Sequence, residues 1–454
     1  MGGISEEHMG WLWVYRILFL PVFLAMAPAW LVHMWRRGGY GRGFLQRLGF
    51  LPRFPGRFPG KKKLWIHGVS VGEVQSLEPL VGRLLADGCH EIILTSTSST
   101  GLAVARNLYG KNCTVAAFPI DFWPFSRLAW GRVCPDMLIH ADGDLWPEHL
   151  HNARRRRVPV VIVNARLSER SCRRCGKFPS IAHWLWGPVS TIFSSGPRST
   201  AHLLAIGVDP KKIFSVGNMK CDRPLLPPLS TADRRQLLLE LGVVPTDKNG
   251  RPTPILFGCS TWPGEEEMLL FVYDLLRKAD DRWRLLLVPR HGERRESLRR
   301  SLDLRNYCSH FRSGGIANIS DAAVAVVDTV GELAHFIRLG TVAFLGKTLP
   351  PNGGAQSPLD AVAAGIPLVS GPNIGNFRDI LEDLAKCNAV AVEKNEDAVG
   401  RKILELCGTA DARNSMVRSA TAWLLKNSGT ADRLGNYIAA AVSGNASGDL
   451  FNFS

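Results

Sequence analysis

The sequence has little of what marks several large protein classes. Its 454 residues include only ten cysteines, whose irregular spacing excludes a disulfide scaffold and indicates reduced thiols. The lone CxxC pair, Cys172 and Cys175, has no second pair with which to bind zinc. The sequence contains no Walker A loop, no GxGxxG fingerprint and no nucleic-acid recognition motif. We therefore expect no metal site, and no nucleic acid as partner.

Apolar residues, in contrast, are abundant. They make up 46% of the chain, against 21% for charged residues, which excludes a disordered chain and supplies more than one core. The length is about three times that of a typical domain of roughly 150 residues. Two domains with an appendage are the expected organisation.

The positive charge is confined to one half of the chain. Residues 1–220 contain 28 Lys and Arg against 13 Asp and Glu, whereas residues 221–454 contain 27 of each kind. The formal net charge of +15 therefore belongs to the first half. We expect that half to face an anionic partner such as a membrane surface.

Near the N-terminus, residues 17–35 form an apolar run with no Asp, Glu, Lys or Arg. The run is just long enough to cross a bilayer, although Pro21 and Pro28 weaken that interpretation. Basic residues follow it and acidic residues precede it, so the rest of the chain is expected on the cytoplasmic side. The sequence predicts a retained membrane anchor, which either spans the bilayer or lies in its interface.

Short apolar runs then alternate with longer amphipathic stretches. Runs of this kind without polar alternation indicate strands buried on both faces, and the stretches between them indicate βαβ units with a parallel sheet. The predicted strands are 64–70, 91–97, 114–119, 136–140 and 159–165, with two weaker runs after them, and then 254–260, 284–290, 323–328, 341–346, 366–371 and 389–393.

The two series of strands predict two Rossmann-like domains. A Pro/Gly/basic linker at 51–63 precedes the first series, and the prolines of 224–228 with the polar segment 245–254 separate the two. The predicted division is an anchor with its basic flank at 1–50, an N-terminal domain at 51–222 and a C-terminal domain at 223–454.

Acidic residues follow the first and fourth predicted strands, at the edge where doubly wound sheets bind ligands. Glu73 falls in the first helical turn after HGVSVG, and Asp142 and Asp144 flank Gly143. Each has a structural interpretation, because Glu73 can complement a helix dipole and the aspartates can cap a helix. The functional alternative is that Glu73 is a general base faced by an acidic pair.

Basic residues bracket the fifth predicted strand. Arg154–Arg157 precede it, and five more basic residues lie between Arg166 and Lys177. Such runs are usually solvated surface, but this density at one strand favours contact with an anion.

In the second half, polar residues again follow the strands. Ser260 and Thr261 stand where a helix N-cap belongs and can also cradle a phosphate. Arg290 follows the next strand and could bind a phosphate. Asp360 enters a helix after a glycine turn, where its carboxylate could accept hydrogen bonds from a ribose.

These segments resemble the bacterial 3-deoxy-D-manno-octulosonic acid (Kdo) transferases from the anchor to about residue 440. The shared patterns are WIHGVSVGEV, LWP, VNARLSERS, GNMKCD, VPRHGER, DTVGEL, GAQSPLD and GPNIGNFRDI. The resemblance implies an α/β fold of two Rossmann-like domains facing a cleft, the GT-B glycosyltransferase arrangement. It also implies transfer of Kdo from CMP-Kdo to the lipid A precursor (lipid IVA) at the cytoplasmic face of the inner membrane, with inversion and without a cofactor.

The resemblance assigns roles to individual residues. Glu73 matches the general base, and Lys220 matches a residue that stabilises the transition state. Asp142 and Asp144 stand where the family has Glu-x-Glu before Leu-Trp-Pro. The segments that match the family's CMP-binding residues are Pro289 and Arg290, Val330, Gly331 and Glu332, and Ser357, Pro358, Leu359 and Asp360.

Two alternatives stay open because the segment 353–360 and the acidic pair depart from the family pattern. One is a GT-B glycosyltransferase that uses another sugar donor, and the other is a catalytically weakened member of the family.

Overall fold

The computed structural model describes residues 6–36, 43–52, 60–319 and 321–443. The described chain divides into two compact units. Unit 1 runs up to Asp222 and resumes at Asn427, and unit 2 is Arg223–Lys426. Residues 53–59 of the predicted linker and residues 37–42 of the basic flank after the anchor lie outside the described residues.

Unit 1 contains a parallel sheet in the order β3-β2-β1-β4-β5-β6-β7. The described strands are β1 (Lys62–Gly68), β2 (His90–Ser96), β3 (Thr114–Ala117), β4 (Met137–Ala141), β5 (Val160–Ala165), β6 (Thr191–Ser194) and β7 (Ile213–Ser215). All but the first residue of β1, and every residue of β4 and β5, are buried, as expected for a parallel sheet covered by helices on both faces.

The described α-helices of unit 1 that precede Asp222 are α1 (Glu6–Arg36), α2 (Phe44–Arg47), α3 (Val71–Ser76), α4 (Glu78–Ala86), α5 (Ser99–Tyr109), α6 (Trp123–Val133), α7 (Pro147–Arg156), α8 (Glu169–Gly176), α9 (Pro179–Trp186) and α10 (Pro197–Ala205). Local sequence explains several starts, because Ser70, Ser98 and Ser168 each accept a backbone N–H as N-cap residues.

Unit 2 repeats the architecture with the parallel order β10-β11-β9-β8-β12-β13-β14. Its described strands are β8 (Ile255–Thr261), β9 (Arg284–Pro289), β10 (Ser309–Phe311), β11 (Val324–Val326), β12 (Val342–Leu345), β13 (Leu368–Ser370) and β14 (Ala391–Val392). Its described helices are α11 (Thr231–Glu240), α12 (Glu265–Ala279), α13 (Arg295–Leu304), α14 (Leu333–Phe336), α15 (Leu359–Ala363), α16 (Arg378–Lys386), α17 (Glu396–Gly408) and α18 (Ala410–Asn427).

The C-terminal helix differs from the sequence prediction. Helix α19 (Thr430–Ser443) belongs to unit 1, although the predicted C-terminal domain included it. Leu434 and Ile438 are fully buried in the core formed by β1, β2 and α4, and the Tyr437 hydroxyl lies 2.6 Å from that of Thr191 on β6. An amphipathic pattern specifies that a helix is buried but not against which sheet, so the sequence could not place this one.

In each sheet, one strand has an irregular residue near its carboxyl end, which is the edge where ligands are expected to bind. The register of β5 shifts near Asn164, and that of β8 shifts near Ser260. Both residues have positive φ, 56° and 54°, a conformation that is uncommon for residues other than glycine. β-Bulges and strained backbone of this kind are enriched next to functional sites.

Candidate functional site

Glu73 lies at the topological switch point of unit 1, because β1 pairs with β2 on one side and β4 on the other. The N-cap residue Ser70 accepts the N–H of Glu73 at 3.3 Å. In return, Glu73 Oε1 accepts the Ser70 hydroxyl at 2.7 Å and Oε2 accepts the N–H of Val69 at 2.8 Å. This reciprocal cap resembles a capping box, and it fixes the half-buried carboxylate at the strand ends.

The surroundings of Glu73 stabilise its protonated form, relative to the same carboxyl group in water. Burial raises the pKa of Glu73, and the negative charges of Asp142 and Asp144 raise it further, against the lowering effect of its two hydrogen bonds. Burial also raises the pKa of Asp144, and the negative charge of Asp142 raises it further. Carboxylates whose pKa is raised in this way are suited to proton transfer near neutral pH.

Asp142 is held by the end of the neighbouring strand. It has a positive φ of 61°, and its Oδ1 accepts the side-chain amide of Asn164 at 2.8 Å. The amide oxygen of Asn164 accepts the N–H of Met219 at 3.3 Å, next to Lys220. Asn164 therefore joins the acidic loop after β4 to the 3₁₀ turn Met219–Cys221 that carries Lys220.

The interpretation of Asp142 and Asp144 as helix caps is wrong. Helix α7 has Trp146 at its N-cap, without a side-chain hydrogen bond. Asp121, from the segment after β3, accepts the N–H groups of Glu148 and His149, both at 3.1 Å. The acidic pair is therefore free of the capping role and belongs to a loop.

In unit 2, the predicted donor-binding residues follow β11, β9, β8 and β12, which are consecutive in the sheet. Pro289 ends β9, and the exposed Arg290 donates its N–H to the carbonyl of Thr261 at 3.1 Å. Val330 is 95% exposed, and Gly331 has a φ of 90°. The structure thus brings these residues to one edge of one sheet.

Ser260 and Thr261 do not cap a helix. Both belong to strand β8, and helix α12 begins only at Glu265, after Gly264. Thr261 is fully buried, so its side chain is not available to a ligand, whereas Ser260 is half-buried. The physical reason is the bulge at Ser260: the strand continues past it to Thr261, whereas the sequence predicted that the strand ends at residue 260.

Two of the predicted carboxylates already have cationic partners. Asp360, in the first turn of α15, accepts a hydrogen bond from the Arg223 guanidinium. Glu332 accepts hydrogen bonds from Thr329 and, at 3.4 Å, from Arg312. Its pKa is lowered, because these contacts outweigh the effect of its partial burial. Ser357 accepts the N–H of Leu359 at 3.3 Å and so shapes the turn before α15, which also contains Pro358.

Glu265, in the first turn of α12, is a further residue of this edge. Its buried carboxylate accepts four backbone N–H groups: those of Trp262 at 2.8 Å, Lys347 at 2.9 Å, Thr348 at 2.8 Å and Leu349 at 3.1 Å. It therefore links the β8–α12 turn to the loop after β12, which precedes the GAQSPLD segment.

Comparison with known proteins covers nearly the whole chain. The family model "3-Deoxy-D-manno-octulosonic-acid transferase (kdotransferase)" matches residues 42–223. The 3-deoxy-D-manno-octulosonic acid transferase of Haemophilus influenzae is 30% identical over 399 residues, or 87% of this chain and 90% of that protein. The chain belongs to the Kdo transferase family. It is therefore a glycosyltransferase.

Further comparisons agree with this family membership. The Bordetella pertussis Kdo transferase is 28% identical and covers 92% of this chain and 97% of its own length. Among solved structures, that of Anabaena Alr3699/HepE in complex with UDP aligns with a TM-score of 0.59 at 13% identity, over 84% of this chain and all of that one. The predicted fold class, α/β of the GT-B type, is confirmed.

This family member also carries one described helix that is long and apolar enough to cross a membrane, over Met9–Ala29. Its outer face is apolar and exposed at Trp13, Ile17 and Leu18. The predicted N-terminal apolar helix is confirmed and is compatible with a membrane anchor, although the apolar stretch starts earlier than residue 17 and includes Arg16.

The predicted basic cluster is two groups, not one. Arg154–Arg156 end helix α7 and precede β5, whereas Arg170, Arg173 and Arg174 lie on α8, which follows β5. A six-residue strand separates the two groups by about 20 Å. Only the α8 group follows the strand edge that carries Asp142 and Asn164.

Proposed function

We propose that this protein transfers Kdo from CMP-Kdo to the lipid A precursor lipid IVA, inverting the anomeric centre, with Glu73 as general base. The observation that carries the proposal is the carboxylate of Glu73, oriented by its cap at the switch point of unit 1 and raised in pKa beside Asp142. The family membership supports Kdo as the sugar.

The chemistry requires one base and a stabilised leaving group. In a single displacement, the acceptor hydroxyl attacks the anomeric carbon, its proton passes to Glu73, and CMP leaves from the opposite face, which inverts the centre. The departing phosphate needs positive charge. We assign this role to cationic side chains, with Lys220 or Arg290 as candidates, so that no metal or cofactor takes part.

The decisive experiment incubates the protein with lipid IVA and either CMP-Kdo or other nucleotide sugars, with EDTA present, and measures product mass. We expect one or more Kdo additions from CMP-Kdo alone. Transfer from a different donor would favour the alternative, a GT-B glycosyltransferase that uses another sugar. The observation that supports this alternative is the ion pair between Asp360 and Arg223, because it engages the carboxylate that was expected to bind a ribose. Loss of transfer in EDTA would contradict the metal-free mechanism.

Arg290→Ala should weaken CMP binding because Arg290 is exposed at the end of β9, among the residues proposed to bind the donor. A charged hydrogen bond to phosphate contributes about 1.5–3 kcal/mol, so we expect a loss of roughly ten- to a hundredfold in affinity by calorimetry. Arg300→Ala, an exposed arginine on α13 of the same unit, is the matched control. Equal CMP affinities for the two variants would remove Arg290 from the donor site.

We further propose that α1 lies in the membrane interface at the cytoplasmic face of the inner membrane. Its residues Leu12, Tyr15, Arg16 and Phe19 face the rest of unit 1: Leu12 is fully buried, and the Phe19 ring stacks on Phe122 with centroids 5.3 Å apart. About 17 helical residues remain beyond Phe19, fewer than the roughly 20 needed to span a bilayer. An exposed apolar face on a docked helix is typical of interfacial binding.

The α8 basic group should contribute to binding of the anionic lipid. Each basic residue near an anionic surface contributes about 1 kcal/mol, so Arg173→Gln with Arg174→Gln should weaken binding to anionic vesicles about thirtyfold at low salt. Arg155→Gln with Arg156→Gln removes the same charge at the opposite end of β5 and should have a much smaller effect. If the two double variants bind vesicles equally, the assignment of lipid binding to the α8 group is wrong.

A further inference from the structure

Helix α1 makes a polar contact with the rest of unit 1 that an apolar anchor does not require. The Tyr15 hydroxyl donates to Asp121 Oδ2 at 2.8 Å. The Arg16 guanidinium donates to both carboxylate oxygens of Glu148, from Nε at 2.5 Å and from Nη2 at 3.0 Å. A bidentate pair of this kind fixes both position and orientation.

Both acceptors of this contact are buried at the start of α7. The side chain of Glu148 is 0% exposed and that of Asp121 is 1% exposed. Asp121 caps α7 through the N–H groups of Glu148 and His149, while burial raises its pKa to about 7. Among the described residues, the structure records one arginine or lysine in an ion pair with either carboxylate, and this residue is Arg16. Without Arg16, these two neighbouring buried carboxylates would have no recorded ion pair with an arginine or lysine of the described residues.

The start of α7 is in turn the end of the acidic loop. Only the residues from Asp142 to Trp146 separate β4 from α7, so the position of the first turn of α7 sets where this loop can lie. On its other side, the loop is held by the hydrogen bond between Asn164 and Asp142.

We propose that Tyr15 and Arg16 are positioning residues of the transferase, which hold the first turn of α7 and thereby the loop that carries Asp142 and Asp144. Helix α1 is then part of the support of the site as well as a membrane contact. The inference rests on the proposed function for its activity readout, and on the contacts of α1 for its structural readout.

The test compares Arg16→Gln and Tyr15→Phe with wild type in the full-length protein, using CMP-Kdo and detergent-dispersed lipid IVA, where membrane anchoring gives no advantage. Because a misplacement of about 1 Å can cost about 10²-fold, we expect Arg16→Gln to lower kcat by roughly ten- to a hundredfold with little change in KM for CMP-Kdo. Hydrogen exchange over residues 142–150 should become at least about tenfold faster. Tyr15→Phe removes one hydroxyl and no packing, so it should give smaller changes in the same direction.

A second substitution separates positioning from simple loss of fold. In Arg16→Gln with Glu148→Gln, neither partner is charged and the two amides can hydrogen-bond to each other. We expect this double variant to recover most of the hydrogen-exchange protection and of kcat. Leu18→Gln with Leu24→Gln, on the exposed face of the same helix, is the matched control and should weaken vesicle binding while leaving kcat in detergent unchanged.

The proposal is overturned if Arg16→Gln retains wild-type kcat in detergent and wild-type exchange over residues 142–150, or if it behaves like the Leu18 and Leu24 control. It is also overturned if the double variant recovers neither property. Absence of transfer by the wild-type protein would refute the proposed function instead, and hydrogen exchange would still decide whether α1 holds α7.

Discussion

Glu73→Gln should reduce the rate of transfer by a factor of about 10²–10⁴, the usual contribution of a general base. Glutamine keeps the size of glutamate: its oxygen can accept the N–H of Val69 and its NH₂ group can donate to the Ser70 oxygen, and it can replace glutamate in a capping box. The cap with Ser70 and Val69 should therefore survive, while the proton acceptor is lost. Steady-state kinetics with CMP-Kdo, together with calorimetry of CMP binding, would measure the effect.

Two further variants distinguish the base from the cap. Ser70→Ala removes the hydroxyl that bonds Glu73 but keeps the carboxylate, and loss of such a cap costs about 0.5–2 kcal/mol of stability. Glu73→Ala removes both functions. If Glu73 is the base, Glu73→Gln should be nearly as inactive as Glu73→Ala, and Ser70→Ala should stay much more active. Activity of Glu73→Gln within a few-fold of wild type would falsify the assignment.

The same assignment determines the acid side of the pH profile. Glu73 accepts a proton only when ionised, so kcat/KM should fall as the pH drops below its pKa. Because burial and the acidic neighbours raise that pKa, the fall should occur at higher pH than for an ordinary carboxylate. Asp144→Asn removes one of the raising charges and should shift the limb to lower pH.

The parts of this structure that could be predicted are those that depend on local pattern. Continuous apolar runs such as 159–165 indicate buried parallel strands, and β5 (Val160–Ala165) lies where that run predicts. The edge of the sheet that carries Glu73 and Asp142 then follows from the topology of parallel strands. Strand β10 (Ser309–Phe311) was missed because three residues with a polar start carry no such signal.

The features that could not be predicted depend on contacts between distant segments. Asp121 caps a helix that begins 26 residues later, and Arg16 pairs with Glu148 across 132 residues. Neither contact leaves a spacing that a single sequence reveals. The role of Glu265 could not be predicted either, because its partners at Lys347–Leu349 lie in a loop that only the pairing of β8 with β12 brings near.

Glu265 illustrates how much one buried carboxylate can organise in unit 2. The loop Lys347–Leu349 follows the strand next to β8, and Gly346 in front of it approaches so closely that a Cβ there would lie 2.1 Å from the Ser260 carbonyl oxygen. A loop packed this tightly must have its N–H groups satisfied by the protein. Glu265 accepts three of them as well as that of Trp262.

Glu265→Gln should therefore destabilise unit 2 substantially. The amide has one oxygen to accept N–H groups, and its NH₂ group would face two of the four donors that the carboxylate now satisfies. Each buried donor without an acceptor costs about 1–3 kcal/mol, so we expect a loss of roughly 2–6 kcal/mol, a large part of the about 5–15 kcal/mol that stabilises a typical protein. Urea unfolding, with hydrogen exchange over residues 345–350, would measure it. Glu267→Gln, an exposed glutamate in the first turn of the same helix, is the matched control and should unfold within about 0.5 kcal/mol of wild type. If the two variants unfold alike and residues 347–349 keep their protection, the four hydrogen bonds do not hold this loop.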